Sequence, residues 1–118
     1  MCAALGDVKD SAPLQVTQFE ADIRIIEQLM DLWLEMGGLD FAESYNLLWY
    51  FAAKHTKTDA FEKRGKKGFL FTIGDATVHP YIESKYIKKV FDEDDITFTN
   101  SALIAEASKK YELFHIVT

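Results

Sequence analysis

Gly68-Phe69-Leu70-Phe71-Thr72-Ile73-Gly74-Asp75 is an apolar run that ends in a glycine and then a carboxylate. Its aromatic and β-branched residues suit the pleated, buried surface of a strand. In an open α/β sheet, ligands bind outside the carboxyl ends of the strands. A strand that delivers Asp75 to that end therefore marks a candidate site. Gly74 lets the backbone turn sharply and leaves room for a bound group. The alternative is that Asp75 only caps the next turn.

Outward from this run, strand-like and helix-like segments alternate. Ala3 to Leu5 reads as a short buried strand, followed by a polar turn from Val8 to Pro13. Leu14 and Val16 alternate with Gln15 and Thr17, so Leu14 to Phe19 reads as an edge strand. The link between these two strands is too short for a parallel crossover, which predicts an antiparallel pair, while Ala3 to Leu5 and Phe69 to Ile73 are both expected as parallel strands. Thr17-Gln18-Phe19-Glu20 also fits a helix capping box, but Asp22 is the preferred cap of the first helix. Ile23, Ile26, Met30 and Trp33 then fall on one helical face, and Gly37-Gly38 ends that helix. Leu47, Leu48, Phe51 and Ala52 mark a second helix, bounded near Ser44 and Thr56. Thr56 to Lys67 reads as a surface connection and Asp75 to Pro80 as a loop. Ile82, Tyr86, Ile87, Val90 and Phe91 form a third amphipathic helix, and Asp92 to Asp95 an acidic turn. Leu103, Ile104, Ala107 and Tyr111 form a fourth helix, capped by Thr99 or Asn100, before a last strand from Leu113 to Val117. Strands separated by helices predict an α/β fold with a parallel or mixed sheet.

Composition bounds the function. The chain has 118 residues, the size of one domain. Hydrophobic residues make up 48% and charged residues 27%, the balance of a globular protein. A net charge of -6 argues against a nucleic-acid surface, which needs a basic face. The single cysteine, Cys2, excludes an internal disulfide and a cysteine zinc cluster, and fits a reducing, cytoplasmic setting. Leu47 to Ala53 is the longest apolar run and is too short to span a bilayer. The first residues lack the basic and apolar regions of a signal peptide. Cys2 to Gly6 is apolar at once, as though the chain started inside a fold.

Three groups of polar residues can carry chemistry. Asp7, the 37–44 loop with Asp40, Glu43 and Ser44, and Gly74-Asp75 all lie after a strand or at a helix boundary. Carboxylate and hydroxyl oxygens of this kind are what magnesium takes up. Asp40, Glu43 and Ser44 also suit helix capping alone. His79, four residues beyond Asp75, is a candidate ligand or general base; His55 with Asp59 is a weaker pair, and His115 reads as structural. Lys54, Lys57, Lys63, Arg64, Lys66 and Lys67 form a local basic patch, read as a solvated connection. There is no nucleophile elbow, P-loop or dinucleotide fingerprint.

Three stretches carry a family resemblance: 6–22 (GDVKDSAPLQVTQFEAD), 35–50 (EMGGLDFAESYNLLWY) and 51–75 (FAAKHTKTDAFEKRGKKGFLFTIGD). Together they resemble the later part of von Willebrand factor type A (VWA) domains, in particular VWA-like proteins of bacteria and their phages. The resemblance implies a Rossmann-like sheet with helices on both faces. It also implies a magnesium-dependent adhesion site at the carboxyl ends of the strands, which binds an acidic group on a partner protein. Asp75 matches the aspartate that follows the family's fourth strand. The Gly37-Gly38 loop matches a second loop, where Asp40 is the best positional match and Ser44 the alternate. The family's Asp-x-Ser-x-Ser motif occurs nowhere in the 118 residues. The resemblance thus implies a domain without its first strand and helix, with weak magnesium binding and an open sheet edge prone to self-association. Two other readings stand beside it: a small metal-dependent phosphohydrolase using Asp75, Asp7 and His79, and a structural assembly protein whose carboxylates only cap loops.

Overall fold

The computed structural model describes residues 1–34, 42–93 and 96–118. Its elements follow in chain order as β1 (Ala3–Leu5), β2 (Leu14–Val16), α1 (Ile25–Met30), β3 (Ala42–Glu43) and α2 (Tyr45–His55). Then come α3 (Asp59–Arg64), β4 (Gly68–Gly74), β5 (Thr77–Val78), β6 (Tyr81–Ile82), α4 (Ser84–Phe91), β7 (Phe98–Thr99), α5 (Asn100–Ala107) and β8 (Tyr111–Val117). This is an α/β fold.

The strands form two-stranded pairs rather than one sheet among the described residues. β1 and β2 are antiparallel, with Ala3 opposite Val16 and Leu5 opposite Leu14, as the short link predicts. The expectation that β1 is a parallel strand is not met, since β2 is its one partner among the described residues. β4 and β8 run parallel, from Gly68 opposite Tyr111 to Gly74 opposite Val117. β3 lies parallel to β5, and β6 antiparallel to β7.

α2 is the centre of the core. Tyr45, Leu47, Leu48, Trp49, Tyr50, Ala52 and Ala53 are all buried along it. A helix apolar all round is one enclosed all round. Val8, Ile82, Ile87 and Leu103 close the cluster around it. Leu70 of β4 and Leu113 of β8 pack onto that cluster from the sheet. The opposite face of the β4–β8 pair is uncovered: Phe69, Phe71, Ile73, Phe114 and Ile116 are exposed. Strand side chains alternate between faces, so an apolar strand flanked on one side leaves every second residue in solvent. Helical cover on both faces, expected from the family resemblance, is found on one face among the described residues.

The helices correct several boundaries. α1 is shorter than its apolar spacing predicts, and none of its residues is buried. Asp22 does not cap it: Asp22 Oδ1 accepts from the Arg24 amide at 2.9 Å, inside the preceding turn. Its predicted end at Gly37-Gly38 lies outside the described residues. α3 replaces part of the expected surface connection. Thr58 caps it by accepting from the Phe61 amide, and Gly65 closes it with a positive φ of 61°. α4 begins at Ser84 because Ile82 is taken into β6. Thr99, not Asn100, caps α5, accepting from the Ala102 amide at 3.3 Å. Tyr111 begins β8 instead of ending α5, and its hydroxyl meets Thr56 Oγ1 at 2.6 Å beneath α2. No helix among the described residues is long and apolar enough to cross a membrane.

Candidate functional site

A polar cluster gathers where β1, β3, β4 and β5 end and α2 begins. Asp7 follows β1, Glu43 closes β3, Ser44 precedes α2, Asp75 follows β4 and His79 follows β5. The parallel β3–β5 pair continues through the His79 amide, which donates to the Glu43 carbonyl at 3.1 Å. This bond brings the 42–44 and 77–79 segments side by side.

Asp7 and His79 meet directly. His79 Nε2 lies 3.2 Å from Asp7 Oδ2, and Asp7 Oδ1 accepts from the Lys9 amide at 2.9 Å. The Asp7 carboxylate is nearly enclosed, with a side chain 11% exposed. Ser44 is fully buried, and its Oγ accepts from the Val8 amide at 3.2 Å. It therefore ties the turn after β1 to the start of α2 rather than pointing to solvent.

Glu43 senses its neighbours. Partial burial pushes its carboxyl above the usual carboxylate range, and the charges of Asp7, Asp75 and Asp10 push the same way. His79 opposes them. Asp75 is exposed at the rim of this field. Chain segments far apart in sequence thus place Asp7, Glu43, Ser44, Asp75 and His79 at one end of the strands. Asp40 lies outside the described residues.

Gly74 has a different reason from the one its sequence context suggests. A Cβ there would collide with the ring and hydroxyl of Tyr45. The space read as room for a bound group is occupied by Tyr45, which follows Ser44 and stacks edge-on against His115 at 4.9 Å. This contact presses the N-terminus of α2 onto the end of β4. His115 Nδ1 lies 2.8 Å from Thr72 Oγ1, a contact that joins β8 to β4.

Several contributors escape sequence reasoning. Asn46 and Asn100 both donate to the His79 carbonyl, at 3.1 and 2.7 Å, and Asn46 also donates to Asn100 Oδ1 at 3.0 Å. Lys89 Nζ donates to the carbonyls of Val8 and Asp10, each at 2.9 Å. Asp10 Oδ2 accepts from the Asp7 amide at 2.8 Å. A cavity of about 170 Å³ adjoins them, lined in part by Ser44, Asn46, His79 and Tyr86. Nothing local to Asn46, Lys89 or Asn100 signals this role; the fold alone brings them together.

His55 pairs with Glu93 at 3.1 Å rather than with Asp59, and its ring stacks on Phe91. The same Glu93 accepts from the Tyr50 hydroxyl; burial and this bond push the phenol far above its ordinary range. Within the basic patch, Lys54 faces Glu106, Lys63 binds Asp59 and Lys67 faces Glu112, in keeping with a solvated connection.

The described side chains fit a divalent ion only in part. No set of three or more His, Cys, Asp or Glu side chains among the described residues is arranged to hold one. Asp7 is already committed to His79 and the Lys9 amide, and Ser44 to Val8. Magnesium demands a near-ideal octahedral shell, which Asp75 and Glu43 alone do not supply. Protein-family models, curated proteins and solved structures give no match to this chain.

Proposed function

We propose that this chain is a VWA-like protein-binding module whose binding end is the polar cluster of Asp7, Glu43, Ser44, Asp75 and His79. In this reading the separate β1–β2 and β4–β8 pairs are the two remaining parts of a Rossmann-like sheet. A magnesium ion held weakly near Asp75 would bridge to an acidic group on a partner.

 The observation that supports it is the convergence itself: beyond the effect of burial, Asp7 and Asp10 from one segment and Asp75 from another push the Glu43 carboxyl up together, which is a field that a cation relieves. The role is binding rather than turnover. Because Asp7 and Ser44 are engaged elsewhere, binding is expected on the order of millimolar.

Calorimetric titration of magnesium tests this reading. Weak binding by the chain should disappear in Asp75→Ala and weaken in Glu43→Gln. Tight binding that survives Asp75→Ala would move the site elsewhere and remove the ground for the VWA assignment.

A second reading has one observation in its favour. The Asp7–His79 contact at 3.2 Å is the geometry of an oriented general base, as a metal-dependent phosphohydrolase needs. Magnesium-dependent release of phosphate from an aryl phosphate, lost in His79→Ala, would favour that reading over the binding module.

A further inference from the structure

β1 and β4 each have one paired edge, to β2 and β8 respectively, and no second strand partner among the described residues. A cleft of about 490 Å³ lies between their open edges. One wall is Met1 to Ala3 with Leu5, and the other is the run Phe69 to Ile73. Tyr45 and Leu48 of α2 contribute to the lining, and no residue of β2 or β8 does so among the described residues. The cleft therefore faces the unpaired edges themselves.

We propose that this cleft binds one extended segment of another polypeptide, inserted as a strand between β1 and β4. The backbone chemistry favours that occupant. Open strand edges present rows of N–H and C=O groups that a further strand satisfies and an apolar small molecule does not. A folded second copy fits poorly, because its β1, β2, β4 and β8 each already use one edge. The inserted segment needs both edges free. It must also be apolar on both faces, since Leu48 and Leu70 lie on the core side while Phe69, Phe71 and Ile73 lie exposed on the other. Charge orients it: Lys66 and Lys67 precede β4, while Asp75 follows it and Glu43 lines the cleft. A basic residue on the segment belongs at the Asp75 end. This proposal rests on the strand edges and stands apart from the magnesium reading.

The probe is a synthetic acetylated peptide, Thr-Val-Ile-Val-Thr-Val-Lys, with a single basic end and with two derivatives N-methylated at alternate residues so that each lacks the donors of one edge. Cys2 is the chain's single cysteine, is exposed and lines the cleft, so its reaction with a maleimide reports occupancy. The parent peptide should slow that reaction at least tenfold at saturation and protect amides of β4 from hydrogen exchange. Both methylated peptides should bind at least tenfold more weakly, and chelation of magnesium should change neither result. Loss of binding in only one derivative would mean addition to a single edge, and equal binding by all three would mean apolar adhesion; either overturns insertion. Absence of protection at millimolar peptide overturns it too. Protection of Cys2 that rises with chain concentration alone would assign the cleft to a second copy instead.

Discussion

α2 and α1 are both rich in apolar residues, yet one is the centre of the molecule and the other lies on its surface. In α2 nearly every residue is buried, including Leu47 at 0% exposure. In α1 none is: Ile26 is 51% exposed and Met30 80%. The β4–β8 pair carries the same contrast within one element, with Leu70 and Leu113 packed on the core and Phe69, Phe71 and Phe114 in solvent. Apolar content thus predicts which residues can be buried, while the neighbouring elements decide which are. Exposed apolar surface on this scale marks places where another chain or segment can act.

The strongest way to break the comparison is to truncate one residue on each side. Leu47→Ala should destabilise the fold by about 2–5 kcal/mol, through lost burial and the cavity left behind. Ile26→Ala should change stability by no more than about 0.5 kcal/mol, since Ile26 is half exposed on a helix that buries nothing. Chemical denaturation of the two variants measures the difference. Equal losses would mean that α1 is packed in solution and that the contrast between the helices is false.

The contrast also explains what was legible in the sequence. β1, β2, β4, β8, α2, α4 and α5 follow from periodicity, because each carries a local pattern of apolar residues. α3 was hidden because its signals are polar: the Thr58 cap, Asp59 in the first turn, Lys63 and Arg64 in the last, and Gly65 beyond. The same residues read equally well as a solvated loop. At the site, Asp7, Glu43, Ser44, Asp75 and His79 were legible as residues that end strands or start helices. Asn46, Lys89 and Asn100 were not, since their contacts to the site span 21 to 81 positions. The reason for Gly74 was also hidden, because its partner Tyr45 is distant in sequence.

Gly74 sharpens the comparison at the junction of the buried and exposed regions. Gly74→Ala places a methyl group against the ring and hydroxyl of the buried Tyr45, well inside contact distance. Overpacking of this kind costs about 1–3 kcal/mol. Because its backbone is not in the left-handed region, the loss should come from the collision alone. Replacing Tyr45 with leucine in the Gly74→Ala background should then recover part of the stability, read as a double-mutant cycle by thermal or chemical unfolding. A purely additive cycle would show that Gly74 and Tyr45 are not coupled.

The smallest effect is expected at Glu43, where burial is partial and solvent screens the charges. Its carboxyl is raised in the folded state by burial first and then by Asp7, Asp75 and Asp10. A raised folded value means that the native chain holds this proton more tightly than the unfolded chain. The Glu43 contribution to stability is therefore most favourable at low pH and declines as pH rises from the ordinary value of 4.5 through the folded value. Above that window Glu43 is charged in both states and the repulsion acts in full. Glu43→Gln removes the charge, so it should stabilise the chain at neutral pH relative to the parent and flatten this part of the pH profile. Near pH 4 the difference should shrink, because the parent is then largely protonated at this position. Unfolding midpoints of both proteins between pH 4 and 8 provide the check. A variant less stable than the parent across the whole range would mean that the Glu43 carboxylate is held by favourable contacts, and that Asp7, Asp10 and Asp75 do not form a shared field with it.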